Sequence, residues 1–161
     1  DKIKVIYNGC NKISRAEKKQ QTDGYIVAIT STLPHKNASG IIDAYKMYVE
    51  KTQNPLSLKV IGIEDCKQYE LDEKISNLVE CFRFIKEDKD LHALIGNAKL
   101  FLFLSLVEGF GFPPIEAMQL GTPVICADNS SLPEVVGDAA ILVKANDTMD
   151  VAIKLNELIN L

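Results

Sequence analysis

Short apolar runs alternate with amphipathic stretches along most of this chain. YIVAIT at 25–30 is β-branched and nearly continuous, as a buried strand is. From residue 39 the period changes. Ile41, Ala44, Tyr45 and Tyr48, with Ile42 and Val49 beside them, recur at three- and four-residue spacing and predict one apolar helix face, which Asn54-Pro55 ends. LSLKVIGI at 56–63 predicts a second strand, 69–79 a helix, and CFRFI at 81–85 a third strand. Then come a helix over 88–97, the strand KLFLFLS at 99–105, a helix over 113–120, the strand PVICA at 123–127, a helical turn near Pro133, the strand AILV at 140–143, and a last helix from Asp147. DKIKVIYNGC at the start also alternates as a strand does, and a polar, lysine-rich segment over 11–23 follows it.

Six βα units with near-continuous apolar strands predict an α/β fold: a doubly wound, parallel, six-stranded Rossmann-like sheet covered on both faces. If the strand order is 3-2-1-4-5-6, the first core strand (25–30) and the fourth (99–104) lie side by side where the winding reverses. Ligands bind such sheets beyond the carboxyl ends of those strands. Two loops are thereby singled out, 31–39 and 105–112.

Composition narrows the function classes. A chain of 161 residues, 47% hydrophobic and 25% charged, suits one well-cored domain. Eighteen basic against 22 acidic side chains give a net charge of -4, which argues against a nucleic-acid footprint, so an anionic ligand must be held locally. The longest apolar segment, 100–107, is interrupted by Ser105 and falls well short of the roughly 20 residues of a membrane span. Cys10, Cys66, Cys81 and Cys126 show no C-x-x-C spacing and read as free thiols of a reducing compartment. With no initiator methionine and no signal-like start, the chain reads as a piece of a longer protein.

The second loop, in SLVEGFGFPPIEAMQLGTPV, puts Gly109 and Gly111 before Pro113 and Pro114. Glycines allow positive φ and close approach of backbone amides, and prolines suit a helix's first turn, so the turn reads as a phosphate-binding helix start. Glu108 and Glu116 flank it. At the start of a helix Glu116 also stabilises the dipole with no further role, and Glu108 also suits a solvated loop. Taken together, two carboxylates beside a phosphate site point to acceptance of hydrogen bonds from sugar hydroxyls. The first loop supplies His35 and Lys36; Lys36 faces the glycine turn across the switch point, where it can neutralise a diphosphate or remain solvated, and His35 either assists or caps the next helix. No P-loop or G-x-G-x-x-G opens a helix, and His35 and His92 are too far apart in sequence to suggest a metal site or a triad.

The run EGFGFPPIEAMQLGTPVICADNSSLPEVVGDAAILV at 108–143 resembles the group 1 family of retaining, nucleotide-sugar-dependent glycosyltransferases of the GT-B fold, with their E-x7-E signature. VIYNG near the start is similar to the family's interdomain linker, HKN to its phosphate loop and AKLFLFLS to the strand before the signature. The resemblance implies one half of a GT-B fold. Residues 1–23 would be the interdomain linker and leading strand, and 24–161 the C-terminal nucleotide-sugar-binding domain, with the N-terminal acceptor domain outside this chain. It further implies that Glu108 and Lys36 are catalytic; that Ser31, His35, Lys36, Glu108, Gly109, Phe110 and Gly111 hold donor sugar and phosphate; that Glu116 binds the ribose; and that Phe84 and Ile85 border the base. No metal and no cofactor is implied, the donor being a UDP-, GDP- or ADP-linked sugar and the acceptor a glycan or lipid-linked glycan. The setting implied is cytoplasmic, at the inner face of a membrane. The chain departs from the family in carrying His35 and Ser31 where a first-loop arginine is usual, and Leu104 where a proline is usual. A nucleotide-sugar epimerase of the same fold, or a degenerate module used only for interaction, would share these features.

Overall fold

The computed structural model describes residues 3–13 and 24–160. Six strands, β1 (Tyr25–Ile29), β2 (Ser57–Ile61), β3 (Val79–Phe82), β4 (Leu100–Phe103), β5 (Val124–Ala127) and β6 (Ile141–Val143), form one parallel sheet in the order β3-β2-β1-β4-β5-β6. This is the expected doubly wound, Rossmann-like arrangement of one half of a GT-B fold. β1, β4 and β5 are almost wholly buried because both their faces are covered, which is why they read as continuous apolar runs.

The helices are α1 (Ala38–Lys51), α2 (Glu73–Ser76), α3 (Asp88–Gly96), α4 (Phe112–Gln119), α5 (Leu132–Val136) and α6 (Thr148–Ile159). α1 packs against α6, while α4 packs against α3 and α5. Right-handed crossovers that wind one way from β1 to β3 and the other way from β3 to β6 place these two sets on opposite faces. The apolar stripe predicted at residues 41–49 is the buried face of α1, with Ile41, Ile42, Ala44, Tyr45, Tyr48 and Val49 all in the core. Two of these bring polar tips that also find partners: Tyr45 donates to the Leu56 carbonyl and the Tyr48 hydroxyl accepts from the Leu56 N–H, fixing the turn that enters β2.

Three expectations are corrected. The helix expected over 69–79 is a short 3-10 turn (Cys66–Tyr69) followed by the four-residue α2. Asp65, before the run, accepts from the Lys67 N–H and starts the 3-10 turn, Asp72 within it accepts from the Ile75 N–H and starts α2, and Glu70 between them is left-handed. Each cap starts a new helix, so the apolar spacing never extends. The leading strand is also absent in 3–13: these residues join no strand, and Ile3, Val5, Ile6 and Tyr7 are exposed, since no sheet edge receives them. The rest of the polar segment, 14–23, lies outside the described residues.

The third correction concerns the cysteines. Cys66 and Cys81, expected as free thiols, form a disulfide across a Cα separation of 5.9 Å, which leaves Cys10 and Cys126 free. The argument from unpaired thiols to a reducing compartment therefore loses its premise. Cys126 is buried in β5, and burial, aided by the neighbouring Asp128 charge, pushes its thiol up to about 12. The Cys66–Cys81 bridge, 15 residues apart in sequence, ties the 3-10 turn to β3. Closing a loop of that length constrains the unfolded chain by about 3 kcal/mol, so denaturation with and without a reductant is expected to show that loss of stability. Identical midpoints would mean the bridge contributes nothing.

Candidate functional site

The carboxyl ends of β1 and β4 meet at the switch point, and the two loops that leave them are stitched together by hydrogen bonds. The His35 carbonyl accepts from the Leu106 N–H at 2.7 Å and from the Ser105 hydroxyl at 3.1 Å. Asn37, left-handed at φ 56, donates its amide to the carbonyls of Leu104 and Ala145, so one side chain joins the first loop to the ends of β4 and β6. The buried Thr30 hydroxyl donates to the Lys36 carbonyl at 2.7 Å. The carbonyls of His35 and Lys36 and the Asn37 amide are thus all engaged, and they tie the first loop to its neighbours.

That loop delivers Lys36 to Glu108. The Nζ–Oε1 distance is 2.6 Å, with the two side chains 27% and 12% exposed. The pair spans the two loops, 72 residues apart in sequence. It places a cation and an anion side by side at the point where the sheet winding reverses. Of the other first-loop residues, the Ser31 hydroxyl accepts from the Leu33 N–H, and His35 holds the structure through its backbone while its side chain is exposed.

The glycine turn is shaped from behind by two serines. The Ser130 hydroxyl accepts from the Glu108 N–H and donates to the Glu108 carbonyl, while the Ser131 hydroxyl lies 3.0 Å from that carbonyl and 2.8 Å from the Phe110 carbonyl. In a trans peptide the N–H points opposite to the C=O. Tying the carbonyls of Glu108 and Phe110 to the serines therefore turns the N–H groups of Gly109 and Gly111 the other way. Among the described residues, the N–H groups of Gly109, Phe110 and Gly111 donate to no protein acceptor. They form a concave set of donors at the start of α4.

Only one of the two glycines needs to be one. Gly111 has φ 106, and a Cβ there would stand 2.5 Å from Leu132 Cδ2. Gly109 is not left-handed and has open space around it, so of the two it is Gly111 that uses the positive φ a glycine allows. α4 begins at Phe112, so the prolines occupy its second and third positions, where they lack N–H groups that the helix could not have used.

Glu116 lies one turn into α4 and lines a cleft of about 350 Å³ with Asp88, Leu91 and His92 of α3, Phe112, and Gly9, Cys10, Asn11 and Ile13. Among the described residues its carboxylate accepts no hydrogen bond, and the side chain is half-buried. Phe112 ends the glycine turn and walls this cleft, so the two carboxylates flank the same turn from different sides. Phe84 and Ile85 lie in the loop after β3, Phe84 exposed and Ile85 half-buried against the core. A larger concavity of about 680 Å³ lies at the opposite end of the sheet, beside Gly24, Ser57 and Leu78, where strands begin and no cluster of charged groups gathers. Among the described residues no group of three or more His, Cys, Asp or Glu is arranged to hold a metal ion.

Asn37, Ser130 and Ser131 were not apparent as site residues in the sequence. Ser130 is left-handed at φ 47, an uncommon state for a non-glycine residue that its contacts with Glu108 hold in place. The only linear signal for the serines is a polar DNSS before Pro133, which reads equally well as a helix cap.

Known proteins resemble this chain over most of its length. O-antigen chain mannosyltransferase B of Escherichia coli is 36% identical over 132 residues, 77% of this chain and 34% of that protein. O-antigen chain mannosyltransferase RfbU of Salmonella typhimurium is 33% identical over 156 residues, 91% of this chain and 41% of that protein. The chain thus spans between a third and about two fifths of these relatives. Among solved structures, TarM superposes with a TM-score of 0.75 at 23% identity, over 93% of this chain and 31% of that one, a likeness of fold. The family described as "Glycosyl transferases group 1" matches residues 11–161, nearly the whole chain, which belongs to that family.

Proposed function

We propose that this chain is the donor-binding part of a retaining glycosyltransferase that takes its sugar from a nucleoside diphosphate. The observation that carries the reading is the Lys36–Glu108 pair set beside three unpaired amides at the β1–β4 switch point. A diphosphate needs local positive charge on a chain whose net charge is -4, and Lys36 with the amides of Gly109, Phe110 and Gly111 supplies it.

In this reading Glu108 and Glu116 are the two glutamates of the E-x7-E signature. Glu108 accepts from hydroxyls of the donor sugar, Glu116 accepts from the ribose, and the base lies toward Phe84 and Ile85. As the sugar–phosphate bond breaks, negative charge grows on the departing diphosphate, and Lys36 and the turn amides stabilise it without a metal ion. The acceptor, a glycan or lipid-linked glycan, would be held largely by an N-terminal domain that this chain does not contain. Both relatives described above are named mannosyltransferases, which makes a mannose ester the first donor to try.

Titration calorimetry of the chain with UDP, GDP, ADP and their sugar esters tests the proposal. At least one is expected to bind with a Kd below about 1 mM, with no transfer to acceptor by this chain alone. A folded chain that binds none of them sinks the reading.

A further inference from the structure

The segment at 9–13 carries no helix or strand, yet it is held against α4 and α5 by specific contacts. The Ile13 N–H donates to Gln119 Oε1 at 2.9 Å, and Gln119 Nε2 donates to Cys10 Sγ at 3.0 Å. Further back, the Tyr7 hydroxyl donates to the Glu134 carboxylate of α5. One amide side chain thus grips the segment at two points.

Gln119 follows Glu116 by three positions, so the two project from the same side of α4. The gripped segment is a wall of the cleft that holds Glu116. The residues lining that cleft include the carboxylates of Asp88 and Glu116 and no lysine or arginine. Such a lining repels phosphate and accepts from hydroxyls. Phosphate therefore belongs at the glycine turn with Lys36, and the hydroxyl-bearing part of the ligand belongs here, with Phe112 and Leu91 as apolar walls.

We infer that residues 9–13 are a strap that closes the nucleoside side of the donor site, and that Gln119 is the positioning residue that holds the strap in place. This rests on the nucleotide-binding reading above and deepens it: the nucleoside is enclosed between α3, α4 and the strap, so its binding and the position of the strap depend on each other. Cys10, free and half-buried in the same wall, reports on closure. Its signal is clean, since Cys126 is buried and Cys66 is paired with Cys81.

The test compares the chain with its Gln119→Ala variant in two ligands, a nucleoside diphosphate and inorganic pyrophosphate, and follows the rate at which iodoacetamide alkylates Cys10. Losing two hydrogen bonds that hold the strap is expected to weaken nucleoside diphosphate binding about tenfold and leave pyrophosphate binding unchanged. Saturating nucleotide is expected to slow Cys10 alkylation about tenfold in the parent chain and much less in the variant. Gln119→Glu, which keeps an acceptor for the Ile13 N–H but not the donor to Cys10, should fall between the two. Nucleotide affinity unchanged in Gln119→Ala, an equal loss for both ligands, or alkylation indifferent to nucleotide overturns the strap while leaving the donor site standing. If the parent chain binds neither ligand, the donor-site reading fails and the strap with it.

Discussion

Replacing Lys36 by alanine is expected to raise the Kd for a nucleoside diphosphate by about fiftyfold, equivalent to about 2.3 kcal/mol. Two effects add. The substitution removes a charge-assisted contact to phosphate, and it strips Glu108 of the ammonium that lies 2.6 Å from its carboxylate. A bare carboxylate then faces the incoming anion. Because the Glu108 side chain is only 12% exposed, water screens that repulsion poorly.

The opposite substitution separates the two roles. In Glu108→Gln the lysine keeps its charge and loses its competitor, so free diphosphate is expected to bind within about threefold of the parent or slightly more tightly, while the preference for the sugar ester over the bare diphosphate disappears. Calorimetry at two salt concentrations reads both effects, since the Lys36 contribution should shrink as ionic strength rises. If both substitutions weakened diphosphate binding equally, the ion pair would be a structural clasp and not a ligand site.

Gly62→Ala is expected to destabilise the fold by about 4 kcal/mol or more, the largest effect of any single change considered. Gly62 follows β2 with φ 109, and a Cβ built there would stand 1.8 Å from the Thr30 carbonyl oxygen. That neighbour is backbone and cannot swing aside. Thr30 follows β1, its N–H donates to the Ile61 carbonyl, and the Gly62 N–H donates to the Phe82 carbonyl, so the carboxyl ends of β1, β2 and β3 are bonded through the one Ile61–Gly62 peptide. Any shift also reaches the site, because the Thr30 hydroxyl holds the Lys36 carbonyl. Guanidinium unfolding of the parent and variant measures the effect. A loss under about 1 kcal/mol would show that the strand ends part easily, and that the loop carrying Lys36 is soft.

The alternation of strands and helices was legible because burial on both faces leaves β1, β4 and β5 with no polar positions, and because α1 must turn one stripe to the sheet. Local competition explains the miss at 69–79. There the apolar spacing continues, but Asp65 and Asp72 each bond a nearby N–H and restart the helix. The unpaired run at the start failed for a different reason. Its alternation is real, yet a strand needs a neighbour, and none is present for residues 3–13.

Chemistry followed the same division. Lys36, Glu108, Gly111 and Glu116 stand out in the sequence because the common doubly wound strand order, assumed there and found in the sheet, places their loops at the switch point. Ser130, Ser131, Asn37 and Gln119 do not stand out, since each acts through a backbone group or a sulfur brought near only by folding. The serine hydroxyls decide which way the amides of the glycine turn point. Asn37 joins the loops after β1, β4 and β6. Pattern along the chain determined which residue types reach the carboxyl edge of the sheet. Tertiary structure alone decided how those groups are oriented, because a hydrogen bond depends on distances and angles between residues that the chain separates by as many as 127 positions.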